Sequence, residues 1–270
     1  MKSFFGSGSP ANWRVVAASV RGAAHLQNGL PNQDRLHWEH LPGALLVGAV
    51  ADGAGSAQHA EIGAQAAVAA AVQAGLERLP KLPGPLTPEI WAATARAVLE
   101  TARQAVLDRA ATVPARPGDL ACTLIFFAAT PEWAGAAQIG DGAVVLEDAA
   151  GQFTALTRPP EGEYLNETTF LISTDALATA QFPFVIGRFP RLAAFTDGLQ
   201  MLALKFPGGV PHAGFFRPML RLAEGDADPE PARSQLAALL ESPKFTDRTD
   251  DDLTLLLARL GEEPKAVAGV

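Results

Sequence analysis

The sequence predicts an α+β fold built from layers of antiparallel sheet and helix, and two observations carry this prediction. Strand-like and helix-like segments are grouped along the chain and do not strictly alternate, which favours antiparallel layers over a doubly wound parallel sheet. Hydrophobic residues make up 48% of the 270 residues and charged residues 19%, so the chain has enough apolar side chains for a sizeable core. We see no internal repeat of fixed period.

The first half of the chain predicts two strands followed by two helices. Trp13–Val20 has a strand pattern, residues 21–31 form a polar loop that contains glycine, and the apolar run Leu45–Ala51 ends sharply in a turn, as a buried strand does. Two Ala-rich segments without internal proline follow and predict helices at 57–79 and 88–111. Ser56 is the expected N-cap of the first helix; Thr87 is that of the second, which has Pro88 at its first position.

The second half predicts mostly short strands and then short helices. Glycine and aspartate break the apolar segments from one another, and residues 158–190 are irregular apart from one strand-like piece. The predicted strands are 121–129, 133–139, 143–147, 152–156, 168–173, 192–196 and 253–259, and the predicted helices are 198–206, 212–224 and 231–241. We expect a flexible lead-in at 1–12, one domain at 13–260 and a tail at 261–270.

Charge and cysteine content exclude several classes of function. The formal net charge of −8 argues against a nucleic-acid-binding face, which needs clustered Lys and Arg. The single cysteine, Cys122, excludes an intrachain disulfide and a Cys-rich zinc site, and its apolar surroundings predict an inert core thiol. No apolar run approaches the roughly 18 residues that span a bilayer. We therefore expect a cytoplasmic protein without a nucleic-acid or membrane partner.

Three apolar strands stop at an Asp-Gly pair: Asp52-Gly53, Asp141-Gly142 and Asp197-Gly198. A carboxylate at a strand end is held by the sheet while its oxygens face a cleft, and the glycine allows a sharp turn. A single Asp-Gly pair is most often only a turn, and Asp141-Gly142 is also an ordinary hairpin signal. The prediction of a functional site therefore depends on all three Asp-Gly pairs occurring together.

Two further acidic positions extend this pattern, namely Asp34 before a strand and the run Asp250-Asp251-Asp252 before the last strand. Several negative charges close together raise the free energy of the folded protein unless a cation neutralises them. Because the chain offers few His and Cys residues, its ligands are oxygens, which suit Mg²⁺ or Mn²⁺ better than zinc.

Six short motifs, in order, resemble the metal-dependent protein phosphatases, the type 2C serine/threonine phosphatases, over residues 14–260. The segments His25–Asp34 and Gly162–Phe170 resemble a bacterial branch of that family. This resemblance implies a fold of two antiparallel sheets packed as a sandwich, with helices on both outer faces. The six motifs are Gln33-Asp34, Ala51–Ser56, Ala121–Leu124, Ile139–Gly142, Phe195–Gly198 and Asp251–Leu255.

The resemblance also implies a role for each acidic residue. Asp52 would bridge two divalent cations, Mn²⁺ or Mg²⁺, and the carbonyl of Gly53 would bind one of them. Two cations ~3.5–4 Å apart lower the pKa of a bridging water and hold the phosphate. Asp52 and Asp34 would thus serve catalysis. The remaining ligands would be Asp197 and Asp251 on the other cation, Asp34 through water, and Asp141 on a third, weaker cation.

The sequence departs from the family where an arginine often clamps the substrate phosphate. That position is Gly29, and the nearby cationic candidates are Arg21, His25 and Arg35. His25 is predicted to donate to the phosphate or to the leaving oxygen, although a loop histidine without that duty is equally compatible with the sequence. Gln33 replaces an acidic residue of other branches, and Asp252 stands where Asn is frequent.

The expected function is hydrolysis of phosphoserine and phosphothreonine in proteins by a water that two metal ions activate. The alternative is an inactive phosphatase-fold module that binds phosphoproteins or regulates a partner, which the missing arginine favours and the complete set of carboxylates opposes. A hydrolase for small phosphorylated metabolites is a third reading. A partner kinase is expected on family grounds alone.

Overall fold

The computed structural model describes residues 12–42, 44–159, 168–225 and 228–261. The predicted lead-in and tail therefore lie almost entirely outside the described residues, as does most of Gly162–Phe170. In the described part of the chain, no helix has the length and apolarity that a membrane crossing needs.

Twelve strands and eight α-helices are described, with four short 3₁₀ turns between them. The strands are β1 (Trp13–Val20), β2 (Arg35–Leu41), β3 (Leu45–Ala51), β4 (Leu124–Ala129), β5 (Trp133–Ile139), β6 (Ala143–Glu147), β7 (Phe153–Ala155), β8 (Phe184–Ile186), β9 (Arg191–Phe195), β10 (Leu204–Lys205), β11 (Val210–Pro211) and β12 (Leu253–Leu260). The helices are α1 (Ala23–Gln27), α2 (Ala60–Arg78), α3 (Pro88–Ala110), α4 (Ala176–Thr179), α5 (Gln200–Ala203), α6 (Ala213–Leu220), α7 (Glu230–Leu240) and α8 (Pro243–Thr246).

Ten of these strands form two five-stranded sheets in which every pair is antiparallel. The first sheet has the order β1-β12-β9-β6-β7, and the second has the order β2-β3-β4-β5-β8. The strands β10 and β11 form a separate small hairpin. Because β5 and β6 belong to different sheets, the chain crosses between the sheets at residues 140–142.

The layers are held together by three apolar clusters. Side chains such as Leu46, Phe127 and Leu256 pack between the two sheets. On the outer face of the second sheet, α2 and α3 pack through an Ala-rich cluster in which Trp91 stacks on Phe126. A third cluster joins the first sheet to α6, α7 and α8. This arrangement confirms the predicted α+β sandwich with helices on both outer faces.

Most predicted elements match the structure, since the alternation of apolar residues and the Gly and Pro breaks are local signals. The predicted strand at Trp13–Val20 has those bounds in the structure, and Thr87 caps α3 through its Oγ1, which accepts a hydrogen bond from Ile90 N. The N-cap prediction for Ser56 was wrong, because α2 begins only at Ala60, after His59.

Three further predictions need correction. Residues 168–173 form no strand, because Leu171 donates its N–H to the carbonyl of Cys122 and the chain then turns at Ser173. The predicted helix 198–206 is short and gives way to β10. The loop at 21–31 contains the helix α1, none of whose residues is buried.

Candidate metal centre

Asp52 stands at the end of β3, where Thr123 holds its backbone. Its N–H donates to Thr123 Oγ1 at 2.9 Å, and its carbonyl accepts from Thr123 N at 2.8 Å. The next residue must be glycine, because a Cβ on Gly53 would lie 2.6 Å from Ala60 Cβ and 2.9 Å from Gln33 Cβ. The β3 end is thus packed closely enough to fix the direction of the Asp52 carboxylate.

Asp141 and Asp197 converge on Asp52 from two other chain segments. Asp141 lies in the crossover between the sheets, which Gln138 braces by donating its Nε2 to the carbonyls of Gly140 and Gly142. Asp197 follows β9 directly. One carboxylate oxygen from each of the three aspartates lies within 4.8 Å of the others. The structure therefore unites the three Asp-Gly pairs, and the hairpin reading of Asp141 is wrong.

Asp34 and Asp251 lie beside this group of three. Asp34 is 1% exposed, and its Oδ2 accepts a hydrogen bond of 2.7 Å from Thr196 Oγ1. Asp251 is partly exposed and is not a member of the three-carboxylate group found among the described residues. Its negative charge nevertheless raises the pKa of Asp34, Asp52 and Asp197.

The carboxylates destabilise one another's charged forms. Burial is the largest cause for each residue and raises the pKa of Asp34 to about 7 and that of Asp197 to about 8. Burial, followed by the charges of Asp34 and Asp197, raises the pKa of Asp52 well above its usual range. Burial also raises the pKa of Asp141 and Asp251. A bound cation would remove this electrostatic penalty.

The residues present fit a hard divalent cation. Asp141 Oδ1 and Gln33 Oε1 are buried oxygens without a hydrogen-bond donor among the described residues, and buried polar atoms without a partner are uncommon in folded proteins. Mg²⁺ and Mn²⁺ prefer such carboxylate and carbonyl oxygens. We therefore expect Asp52, Asp141 and Asp197 to hold cations.

We predict that the cation-free protein loses stability as the pH rises. Asp34 and Asp197 have a higher pKa in the folded state than in the unfolded chain, so the folded state binds more protons between about pH 4 and about pH 8. Their stabilising contribution is present below about pH 4 and is lost as the pH rises through about 7 to 8, by a few kcal/mol in total.

Urea unfolding in a chelator at about pH 5 and about pH 8 measures this loss, and excess Mn²⁺ at the higher pH should restore the stability. The Asp197→Asn variant should show a weaker pH dependence. A cation-free protein whose stability stays constant or rises over this range would contradict the prediction.

His25 lies on α1, close to the last acidic loop. Its Nδ1 is 2.8 Å from Oδ2 of Asp252, although the N–H does not point straight at that oxygen. Of the other two cationic candidates, Arg35 donates its Nη1 to the carbonyls of Asn32 and Asp34. Arg21 is exposed and donates to the carbonyl of Leu30. Gly29 has φ of +67°, a conformation that an arginine would adopt only with strain.

Sequence reasoning assigned no role to the threonines that support these carboxylates. Thr123 holds the backbone of Asp52, Thr196 donates to Asp34, and Thr168 Oγ1 donates to Asp141 Oδ2 at 3.0 Å. The only sequence signal is that Thr123 and Thr196 stand within the six motifs and Thr168 within the segment Gly162–Phe170, which also resembles the family. The thiol of Cys122 is buried, and burial together with the charge of Asp52 raises its pKa, which agrees with an inert thiol.

Comparisons with known proteins agree on one family. The family model for protein phosphatase 2C matches residues 21–241. Serine/threonine-protein phosphatase 3 of Escherichia coli (strain K12) is 35% identical over 257 residues, which cover 93% of this chain and 100% of that protein. The matched family segment ends before Asp251.

Solved structures share the fold. The catalytic domain of the serine/threonine protein phosphatase PstP, in complex with two manganese ions, matches with a TM-score of 0.62 at 17% identity, over 93% of this chain and 99% of that one. Serine/threonine phosphatase Stp1 from Staphylococcus aureus matches with the same TM-score at 12% identity, over 97% of this chain and 100% of that one.

Proposed function

Because the chain belongs to the protein phosphatase 2C family, we propose that it hydrolyses phosphoserine and phosphothreonine in proteins, with two divalent cations, Mn²⁺ or Mg²⁺. The observation that carries the proposal is that one carboxylate oxygen from each of Asp52, Asp141 and Asp197 lies within 4.8 Å of the others. One buried oxygen of Asp141 also has no hydrogen-bond donor among the described residues. When bound, the cations supply activation of a water molecule at neutral pH and neutralise charge on the phosphate.

We assign the cation ligands as Asp52, the carbonyl of Gly53, Asp197 and Asp251, with Asp141 at a further position. The mutual distance of the three carboxylates supports Asp52, Asp141 and Asp197 most directly. Asp251 is supported by its electrostatic influence on Asp34, Asp52 and Asp197. In this assignment, the buried Asp34 accepts a hydrogen bond from the attacking water.

We assign the leaving-group proton to His25. Hydrolysis joins the water oxygen to phosphorus and breaks the bond from phosphorus to the serine oxygen, which must take up a proton to leave as a hydroxyl group. A positioned side chain that gives this proton contributes typically about 10²- to 10⁴-fold. The Nε2 of His25, which has no hydrogen-bond partner among the described residues, gives its proton to the serine oxygen from the imidazolium form. The transfer leaves a neutral ring with its hydrogen on Nδ1, beside Asp252.

The proposed setting is signalling in the cytoplasm of a bacterium, where a partner kinase phosphorylates the protein substrate. The bacterial source of the 35% identical relative supports this setting. Fractionation of the native cells tests the location, and phosphoproteome changes on deletion of the gene identify the substrates.

The decisive assay compares p-nitrophenyl phosphate with phosphoserine and phosphothreonine peptides, with and without Mn²⁺. We expect turnover that depends on Mn²⁺, with a higher kcat/KM for the peptides. Asp197→Ala should lower this turnover at least about 10²-fold, because replacing even a residue that only orients a ligand typically costs about 10- to 100-fold. Asp108→Ala, an exposed change on α3, should leave the turnover unchanged.

The alternatives give different results in the same assay. A folded protein that turns over no substrate with any cation would favour a phosphoprotein-binding module. Faster turnover of small phosphorylated metabolites than of either peptide would indicate a metabolite hydrolase.

A further inference from the structure

We propose that Asp252 is a positioning residue, which holds the His25 imidazole so that Nε2 is the nitrogen available to the substrate. This inference rests on the phosphatase function proposed above. It concerns a carboxylate that is 1% exposed and lies next to Asp251, yet makes its contacts with a different part of the chain.

Both oxygens of Asp252 are occupied by N–H groups of residues 22–33. Oδ1 accepts from Gly22 N at 2.7 Å, and Oδ2 accepts from Gln33 N at 2.6 Å. The same Oδ2 lies 2.8 Å from Nδ1 of His25. In this chain a carboxylate accepts at both positions, whereas an asparagine would offer only one acceptor oxygen and turn its NH₂ group toward a donor. Asp252 therefore serves the segment that carries His25.

The helix α1 has no apolar anchor of its own. None of its five residues is buried, so polar contacts to the loop 250–252 determine where it lies. Ala24 N donates to the carbonyl of Asp250 at 2.9 Å. Gly22 approaches the same loop so closely that a Cβ there would lie 2.2 Å from the carbonyl carbon of Asp251. The position of His25 is thus tied to the loop that carries Asp251.

The His25 ring is oriented from one side only. Its side chain is 12% exposed, and Nδ1 is buried against Asp252. The opposite nitrogen, Nε2, makes no hydrogen bond in the described part of the chain. A carboxylate at one ring nitrogen selects the tautomer and leaves the other nitrogen for chemistry. Nδ1 lies at hydrogen-bond distance from Asp252 Oδ2, but its N–H is poorly aligned with that oxygen, and a small rotation of the ring would complete the bond.

The first test separates proton donation from binding by using two leaving groups. p-Nitrophenolate leaves readily without a proton, whereas a serine alkoxide does not. We expect His25→Ala to lower kcat for a phosphoserine peptide about 10²-fold or more and kcat for p-nitrophenyl phosphate less than about 10-fold. Asp252→Asn should show the same selectivity, with a smaller loss of about 10-fold or more and little change in KM.

The double variant Asp252→Asn/His25→Ala should be no slower than His25→Ala alone, because Asp252 acts through the histidine. Mn²⁺ affinity, measured by electron paramagnetic resonance, should change less than about threefold in Asp252→Asn, whereas replacing a residue that orients a cation ligand would weaken it about 10- to 100-fold. His40→Ala is the matched control. His40 is exposed and lies near the end of β2, whereas Asp34 precedes the start of that strand.

A second readout needs neither activity nor a folded Asp252 variant. In the ¹⁵N-histidine spectrum of the wild-type protein, with His25→Ala to identify the signals, the neutral His25 ring should carry its hydrogen on Nδ1. A hydrogen on Nε2 would overturn the proposal, as would equal losses on both substrates or additive losses in the double variant. An inactive wild type would instead refute the phosphatase function. The tautomer result would then still test whether Asp252 orients the His25 ring.

Discussion

Replacing Asp52 by Asn should abolish metal-dependent hydrolysis and leave the fold intact. Asp52 follows β3, an interior strand of the second sheet, and Thr123 makes hydrogen bonds to both its N–H and its carbonyl. The amide keeps the size of the side chain but removes the charge that attracts the cations. Because metal ions contribute several kcal/mol of charge stabilisation, we expect a loss of about 4 kcal/mol, or roughly 10³-fold in kcat/KM.

The measurement is hydrolysis of a phosphothreonine peptide at saturating Mn²⁺, with thermal unfolding of the same samples in a chelator. The cation-free variant should be at least as stable as the wild type near neutral pH, because it lacks one carboxylate whose pKa is raised by burial and by neighbouring charges. Asp108→Asn, on the exposed side of α3, is the control. Full activity of Asp52→Asn with metal present would rule out the two-metal mechanism.

Replacing Gly63 by Ala should destabilise the whole fold, although helix propensity alone predicts the opposite. Ala is about 1 kcal/mol better than Gly inside a helix, and Gly63 lies in the first turns of α2. A Cβ at this position would, however, lie 2.0 Å from the carbonyl oxygen of Leu120 and 2.8 Å from its carbon. Both are backbone atoms of a buried segment, so neither can move without shifting the chain toward Thr123.

We expect overpacking to outweigh propensity and to cost about 3 kcal/mol, which lowers Tm by about 10 °C in a chain of this size. Activity should also fall, because the displaced segment includes Ala121, whose carbonyl accepts from Ala54 N beside the site. Gly118→Ala is the matched control, since a Cβ there meets no atom within 4 Å. A Gly63→Ala variant as stable as Gly118→Ala would show that α2 shifts freely on the sheet.

The bounds of most strands and long helices could be predicted from the sequence, because their signals are local. The apolar run of β3 stops at Asp52-Gly53, and Thr87 with Pro88 begins α3. These signals depend only on residues a few positions apart, so they can be recognised without knowledge of the tertiary contacts. The family resemblance then implied the sandwich, and the structure confirms it.

Elements that depend on distant partners were predicted wrongly. The helix α1 buries none of its residues and is held by a loop more than 220 positions away in the sequence, so no local periodicity marks it. The apolar residues around Leu171 resemble a strand, yet in the described part of the chain the only hydrogen bond that joins their backbone to the backbone of a distant segment runs from Leu171 N to the carbonyl of Cys122. In both cases, the contact that decides the conformation is absent from the neighbouring sequence.

The sequence by itself determined that carboxylates stand at strand ends, each followed by a glycine that permits a turn. Only the tertiary structure decided which of them meet. Asp52 follows a strand of the second sheet, Asp197 follows a strand of the first, and Asp141 lies where the chain crosses between them. Asp252 looked like a neighbour of a metal ligand, but folding turns its oxygens to Gly22, His25 and Gln33. The physical reason is that sheet pairing and crossover, set by burial over the whole chain, determine which strand ends converge.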